Sequence, residues 1–203
     1  MTTTHRVIEG DVHPAVVHFI AATNRVENAG YGGEIQWCRD VPPVDTLSPD
    51  RLATEYTFAV FCSSGLKEQV SRKHFNAFMD RKNRGDQNPF DLIFNRRMKD
   101  AIIHMWAHSE TIFKKLMMQP SDGTKIEYLA TLQQIGKKEK YHLARNIGID
   151  CVKPDRHMER LAAYFGFKTP LEMCIEIQKT IPERLGVIDV ILWRDCNLYG
   201  VPE

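Results

Sequence analysis

The chain has 203 residues, enough for one ordinary domain or two small lobes, and its 43% hydrophobic content can fill a core. No run of about 18 apolar residues occurs, and the first residues lack an apolar signal core, so neither a membrane span nor a secretory signal is predicted. The net charge of +1 argues against a uniformly basic nucleic-acid binder, and five scattered cysteines without a CxxC pair favour reduced thiols in the cytoplasm over a zinc or iron–sulfur site.

Nearly every periodic segment has helical spacing and strand-like alternation is absent, so the predicted class is all-α. In chain order the predicted elements are a helix over 11–28, a loop over 30–49, a buried helix from Ser48 to Phe61, a break at Ser63-Ser64-Gly65, helices over 67–82, 89–94 and 96–118, hairpin helices over 126–133 and 137–147, and helices over 155–165, 170–180 and 182–198. The apolar positions of the long helix predicted to face the core are Ile102, Ile103, Trp106, Ile112, Phe113 and Leu116.

The charges are unevenly distributed along the chain. Residues 61–147 carry 16 basic and 9 acidic side chains, whereas residues 1–60 carry 4 and 8, and residues 148–203 carry 7 and 9. A positive middle section agrees equally with a phosphate-binding surface and with a set of solvated helix faces.

Two features between Leu132 and Arg160 point to nucleic-acid chemistry. The run LQQIGKK from Leu132 to Lys138 predicts a tight hairpin, which can hold a nucleic-acid backbone through main-chain N–H groups and lysine charge. Asp155 follows Val152-Lys153-Pro154 and opens the next predicted helix, a position that suits either an N-cap or a carboxylate aimed into a cleft.

These residues resemble the helix-hairpin-helix DNA glycosylase superfamily, whose members carry a hairpin of the form L-P-G-V-G-x-K and, after a short loop, an aspartate. Lys138 and Asp155 are 17 residues apart, near the spacing of the family. The resemblance implies one two-lobed, all-α domain over residues 1–203, with the hairpin at about 126–147, the aspartate segment at 150–165 and a flipped base held between the lobes. This chain departs from the family where Gln133-Gln134 replaces the usual proline and glycine.

Within that superfamily the chain is most similar to bacteriophage proteins called α-glutamyl/putrescinyl thymine pyrophosphorylases or amino-acid:DNA transferases. The similarity lies in the segment SSGLKEQVSRKHF, residues 63–75, and in the compact size without cluster-binding cysteines. It implies a transferase that joins an amino acid or small amine, such as glycine, to the activated 5-hydroxymethyl group of uracil in DNA, giving a hypermodified thymine. The alternative is a glycosylase that hydrolyses the N-glycosidic bond of a damaged or modified base, and the third hypothesis is a non-catalytic DNA-binding module.

The resemblance also implies partners. These are double-stranded DNA that contains a modified pyrimidine and an amine or amino-acid co-substrate, bound by a monomer in the cytoplasm, which is that of the host if the chain is phage-encoded. No metal is predicted, because His104 and His108 have no nearby carboxylate to complete a site. No other cofactor is expected, although a hairpin of this type can hold a structural monovalent cation through its carbonyls.

Asp155 and Lys138 are the candidate catalytic residues. Asp155 would stabilise positive charge on the sugar or activate a nucleophile, and in a transferase it would orient or deprotonate the amine. Lys138 stands where bifunctional glycosylases carry a Schiff-base lysine; in a transferase it would neutralise the leaving phosphate, and the plain alternative is an exposed lysine. The candidate DNA-binding residues of the hairpin are Gln134, Gly136, Lys137 and Lys140. Ser63 and Ser64 belong either to a loop that would enter the base stack or to an ordinary turn between helices, and Arg72 and Lys73 of the following helix either reach phosphates or are simply solvated.

Overall fold

The chain folds into ten α-helices over the residues that the computed structural model describes, which are 12–63, 65, 68–86 and 88–202. The helices are α1 Pro14–Val26, α2 Gly32–Asp40, α3 Pro49–Cys62, α4 Glu68–Asn83, α5 Arg96–Met117, α6 Asp122–Leu129, α7 Glu139–Asn146, α8 Arg156–Tyr164, α9 Pro170–Thr180 and α10 Leu185–Tyr199. A π-helical turn, Glu27–Tyr31, joins α1 to α2, and short 3-10 turns lie at Val44–Thr46 and Pro89–Leu92. The described residues contain no strand, so the all-α prediction is confirmed.

The chain divides into two compact units, in agreement with the two lobes expected from the sequence. The terminal unit consists of the described parts of Met1–Asp40 and Asp150–Glu203, and the central unit is Val41–Ile149. The terminal unit is therefore discontinuous in sequence, because the whole central unit is inserted between α2 and α8.

The core of the terminal unit is built on α10, which packs against α1, α2, α8 and α9. The fully buried residues of α10 include Val187, Ile188 and Ile191, and they meet the apolar stripe of α1. Two ion pairs tie α10 to the first helices: Arg25 of α1 to Asp195, and Arg194 to Glu34 of α2.

The core of the central unit is built on α3, which packs against α4, α5 and α7. Ser48 starts α3 as predicted, since its hydroxyl oxygen accepts the Arg51 N–H at 3.2 Å with Pro49 in the first turn. Trp106 of α5 reaches α3 through a hydrogen bond from Nε1 to the Thr57 hydroxyl at 3.1 Å.

Two sequence-based predictions about the fold are wrong. The segment 30–49 is not a continuous loop, because residues 32–40 form α2, which buries Ile35 and Cys38 one turn apart. Gly30 alone makes the break before α2, with φ at 90°. Ile103 of α5 is 39% exposed, since the core-facing stripe of that helix runs through Ile102 and Met105 instead.

Candidate functional site

The hairpin between α6 and α7 is a compact turn fixed from both sides. The buried Ile135 anchors its tip, with its N–H bonded to the Leu132 carbonyl at 3.2 Å. The hydroxyl of Tyr56, on α3, donates to the Gln133 carbonyl at 2.6 Å, and burial raises the pKa of this phenol. The tip therefore has a set position against the core of the central unit.

Gln134 adopts the left-handed backbone conformation that the hairpin requires. Its φ is 61°, and it is the one non-glycine residue with positive φ in the described part of the chain. Such a conformation brings the side-chain Cβ close to the following carbonyl and costs about 1–2 kcal/mol for most residues. The departure seen in the sequence thus has a direct structural counterpart, in which glutamine carries a conformation suited to glycine.

Gly136 is covered by the side chain of Glu139, and its φ angle is not positive. A Cβ at this position would lie 2.5 Å from Glu139 Oε2, so the carboxylate packs directly over the glycine. Glu139 begins α7, and together with Ser63, Gln134, Ile135 and Gly136 it lines a shallow polar depression. Sequence reasoning missed Glu139, although an acidic residue in the first turn of a helix is a common stabilising choice.

Ser63 ends α3 beside this depression, and its hydroxyl donates to the Val60 carbonyl at 2.8 Å. Its side chain is exposed, as the prediction of a DNA-contacting loop requires. Ser64, the other serine of that prediction, lies outside the described residues.

The three hairpin lysines have different environments. Lys137 and Lys138 are exposed, whereas Lys140 is 8% exposed, with its Nζ 2.6 Å from Glu127 Oε1 on α6. We therefore correct the role expected of Lys140, because its charge already joins the two hairpin helices. Lys138 stands at the N-terminal boundary of α7 in open solvent, so the desolvated environment expected around a nucleophilic lysine is not formed within the central unit.

Arg72 and Lys73 are both exposed on α4, on the side expected from the sequence. The Arg72 guanidinium lies 5.1 Å from the ring centroid of Phe58, a cation–π contact that holds it against α3. Nearby, the half-buried Glu55 accepts a hydrogen bond from Asn146 at 3.1 Å, and burial raises the pKa of its carboxyl despite the charges of Arg51 and Arg72.

Asp155 caps α8 in the terminal unit. Its Oδ1 accepts the N–H groups of His157 at 2.9 Å and Met158 at 3.2 Å. Its Oδ2 has no hydrogen bond among the described residues, and the side chain is half-buried. The capping interpretation is correct, and one oxygen remains available for chemistry.

The charge of Asp155 reaches a buried neighbour. Burial, together with the charges of Asp195 and Asp155, raises the pKa of the Cys196 thiol to about 12. The helix that Asp155 caps, α8, packs against α10 within the terminal unit. Because an N-cap aspartate of this kind is common, its geometry alone does not indicate a catalytic role, and the position of the uncommitted oxygen within the fold must do so.

No family model matches the sequence, and no curated protein matches it. Two solved structures share the fold. The 8-oxoguanine DNA glycosylase of Thermotoga maritima aligns with a TM-score of 0.58 and 14% identity, over 91% of this chain and 96% of its own. The 8-oxoguanine glycosylase/lyase of Methanocaldococcus jannaschii, solved with a 15mer DNA containing 8-oxoguanine, aligns with a TM-score of 0.57 and 15% identity, over 91% of this chain and 100% of its own.

The chain has the helix-hairpin-helix DNA glycosylase fold. This confirms the fold that the hairpin and the aspartate segment predicted. At 14–15% identity the likeness establishes the glycosylase fold and leaves activity to be proposed from the site. The narrower resemblance to the bacteriophage transferases receives no support from either structure.

No group of three or more His, Cys, Asp or Glu side chains within the described ranges could hold a metal ion. The monovalent cation expected at the hairpin stays a prediction. No helix of the described chain is long and apolar enough to cross a membrane.

Proposed function

We propose that this protein is a DNA glycosylase that hydrolyses the N-glycosidic bond of a damaged or modified base. One observation carries the proposal: within a glycosylase fold, Asp155 has one oxygen fixed by two main-chain N–H groups and the other oxygen uncommitted. A carboxylate that is held in this way can face a reacting sugar without first having to be ordered. Both structural neighbours act on 8-oxoguanine, so that base is the first substrate to test.

The reaction assigns a defined role to Asp155. The base leaves with the electron pair of the bond to C1′, and positive charge develops on the sugar. The Asp155 carboxylate stabilises that charge, water forms the new C1′–O bond, and the proton released by water passes to Asp155 or to solvent. Removal of a positioned charge of this kind typically lowers the rate about 10²–10³-fold.

DNA binding is assigned to the exposed cations and the hairpin tip of the central unit. Lys137, Lys138, Arg72 and Lys73 are all accessible to phosphates, and the M. jannaschii neighbour was solved with DNA. Each phosphate contact should make binding weaker as salt rises, because counterions are released from the duplex. Replacing one of these residues should lower the slope of log affinity against log salt by about 1.

Lys138 is proposed to add a lyase step, with bound DNA excluding the water that surrounds this exposed lysine in the free protein. In its neutral form the Lys138 amine would attack C1′ as the base leaves; ring opening and loss of a proton then give a Schiff base between the lysine and the sugar. Borohydride reduces such an intermediate to a stable covalent bond between protein and DNA. The matched variants Lys138→Gln and Lys137→Gln remove the same charge from adjacent exposed positions, so only the first should abolish trapping.

The deciding experiment is product analysis on duplex oligonucleotides with one 8-oxoguanine, uracil or 5-hydroxymethyluracil. Free base together with an abasic site supports the proposal, and both should be lost in Asp155→Asn while DNA binding persists. Intact DNA with every substrate, from a protein that binds duplex, would replace the proposal with that of a binding module.

The hypothesis that the protein is an amino-acid:DNA transferase is tested in the same assay. Phosphorylated 5-hydroxymethyluracil in the duplex and a mixture of amino acids are added, and the nucleosides are weighed by mass spectrometry. A nucleoside heavier by one amine, with no abasic site, would establish amine transfer in place of base hydrolysis.

A further inference from the structure

Arg25, near the end of α1, is held in a two-pronged ion pair inside the terminal unit. Its Nε and Nη2 donate to Oδ1 and Oδ2 of Asp195, both at 2.8 Å. Asp195 is 1% exposed, and His18 Nε2 lies 3.4 Å from its Oδ2. The guanidinium therefore has a fixed orientation, which a surface arginine on a flexible stem does not have.

One edge of this guanidinium faces outward. The Arg25 side chain is 40% exposed, and its Nη1 has no hydrogen bond among the described residues. A planar cation with one edge fixed to a carboxylate and the other open can bind an oxyanion with little loss of side-chain entropy. The pair with Asp195 thus orients Arg25 without using all of its donors.

Arg25 lies on α1 and Asp155 caps α8, and both of these helices pack against α10. Asp195, which binds Arg25, is followed directly by Cys196, a buried residue whose thiol is affected by the charges of both Asp155 and Arg25. The same hydrophobic core contains the residues that flank Arg25 on α1 and those that flank Asp155 before and on α8: Ala22, Val26, Val152 and Met158. The anchored cation and the capping carboxylate therefore border the same core within one unit.

An exposed aromatic ring accompanies the cation. Tyr199 lies one turn after Asp195 on α10, is 59% exposed, and is close enough to Arg25 to affect the pKa of the guanidinium. A tyrosine ring beside a cation suits a nucleotide, because the ring can pack against a sugar while the cation meets the phosphate. A small carboxylate would leave the ring without a partner.

We propose that Arg25, oriented by Asp195, binds a backbone phosphate of DNA on the Asp155 side of the terminal unit, with Tyr199 against the adjoining sugar. The inference rests on the proposed function, since it takes DNA as the ligand. It adds a second phosphate contact, in the unit that carries Asp155, to the contacts assigned to the hairpin in the central unit. Arg25 would then fix the strand near Asp155 independently of the hairpin.

The test measures binding of a fluorescent duplex by anisotropy from about 50 to about 200 mM KCl. The variant Arg25→Gln with Asp195→Asn keeps a neutral hydrogen-bonded pair, so that no buried charge is left alone. The matched control is Arg39→Gln with Glu183→Gln, which removes another ion pair of the terminal unit whose arginine is 38% exposed. Glu183 lies just before α10, at the opposite end of that helix from Asp195.

The Arg25 pair variant should weaken binding about three- to ten-fold at low salt and lower the salt slope by about 1, while the control changes neither. An unchanged slope and affinity would overturn the inference, as would an equal loss in the control. If the double variant does not fold, Arg25→Lys replaces it: the charge is kept but the two-pronged geometry is lost, so affinity should fall with the slope retained. Wild-type affinity in Arg25→Lys would overturn the inference.

This test is separate from the proposed activity. A fall in slope in a protein that releases no base would support the phosphate contact and reject the glycosylase. Base release with an unchanged slope would reject the contact alone. A wild-type protein that binds no duplex would reject both.

Discussion

Substitution of Asp155 can separate its capping role from its catalytic role, because the structure assigns them to different oxygens. The cap uses Oδ1, which accepts two N–H groups, and a neutral Asn or Ser supplies an equivalent acceptor. The catalytic role requires the negative charge, which neither substitute has. Asp155→Ala removes both.

The expected magnitudes follow from these contacts. Loss of the N-cap in Asp155→Ala should cost about 1 kcal/mol, which for a chain of this length lowers Tm by about 2–4 °C. Asp155→Asn and Asp155→Ser lose the favourable interaction with the start of the helix but keep the cap, so the cost should stay below about 1 kcal/mol. All three should reduce base release about 10²–10³-fold.

Thermal melting and single-turnover base release on the same preparations measure both quantities. Wild-type activity in Asp155→Asn or Asp155→Ser would refute the catalytic assignment and leave Asp155 as a cap. An unchanged Tm in Asp155→Ala would refute the capping energetics. Duplex affinity, measured in parallel, should not fall below that of the wild type in any of the three variants, because each removes a negative charge from the proposed DNA-binding side.

Three further predictions concern the central unit. Because burial raises the pKa of Glu55 above its ordinary value of 4.5, the folded state binds that proton more tightly than the unfolded state, and stability falls as pH rises between the two pKa values. Glu55→Gln should therefore raise Tm at pH 7 and make Tm depend less on pH. The new amide can also donate to the buried Oδ1 of Asn146, which has no hydrogen-bond partner among the described residues. A lower Tm at pH 7 would contradict this prediction. Gln134→Gly should relieve about 1–2 kcal/mol of left-handed strain and cost about 0.5–1 kcal/mol through the greater entropy of the unfolded chain. Chemical unfolding should therefore show a higher free energy of unfolding for Gln134→Gly and a lower one for the control Gln133→Gly. Glu139→Gln removes a negative charge from the hairpin depression. At about 4 Å in a water-like environment that charge repels a phosphate by about 1 kcal/mol, so anisotropy should show about five-fold tighter duplex binding. Equal or weaker binding would show that the carboxylate does not face the DNA.

Local signals in the sequence predicted much of this fold. Ser48-Pro49 places a capping hydroxyl before a proline and begins α3 as predicted, and Thr169-Pro170 begins α9 with the same chemistry, although the prediction of that helix did not use it. Asp155 was interpreted both as a cap and as a catalytic group, and the structure confirms the cap while the chemistry stays a prediction. Signals of this kind depend on neighbours within four residues, so they can be read without a fold.

The errors arose where contacts distant in sequence decide the outcome. The run Gly32-Gly33 suggested a loop, but burial of Ile35 and Cys38 against α10 outweighs the low helix propensity of glycine. Lys140 was predicted to be exposed like Lys137 and Lys138, because its ion-pair partner Glu127 lies on the other hairpin helix and helical periodicity does not predict such a pair. The pairing of Arg25 with Asp195 spans 170 positions, and no pattern in the sequence announces it.

The division of the terminal unit has a consequence for how the chain is made. During synthesis α1 is made before the central unit, whereas α10, which covers the apolar face of α1, is made only after that unit. The central unit is contiguous and can fold while the rest is still being translated, since domains form as their residues become available. Until α10 has been made, α1 presents Val16, Phe19 and Val26 to solvent or to chaperones. A chain truncated before Leu185 would therefore contain the whole central unit but leave the apolar face of α1 uncovered, and we expect such a product to aggregate and to be cleaved by proteases.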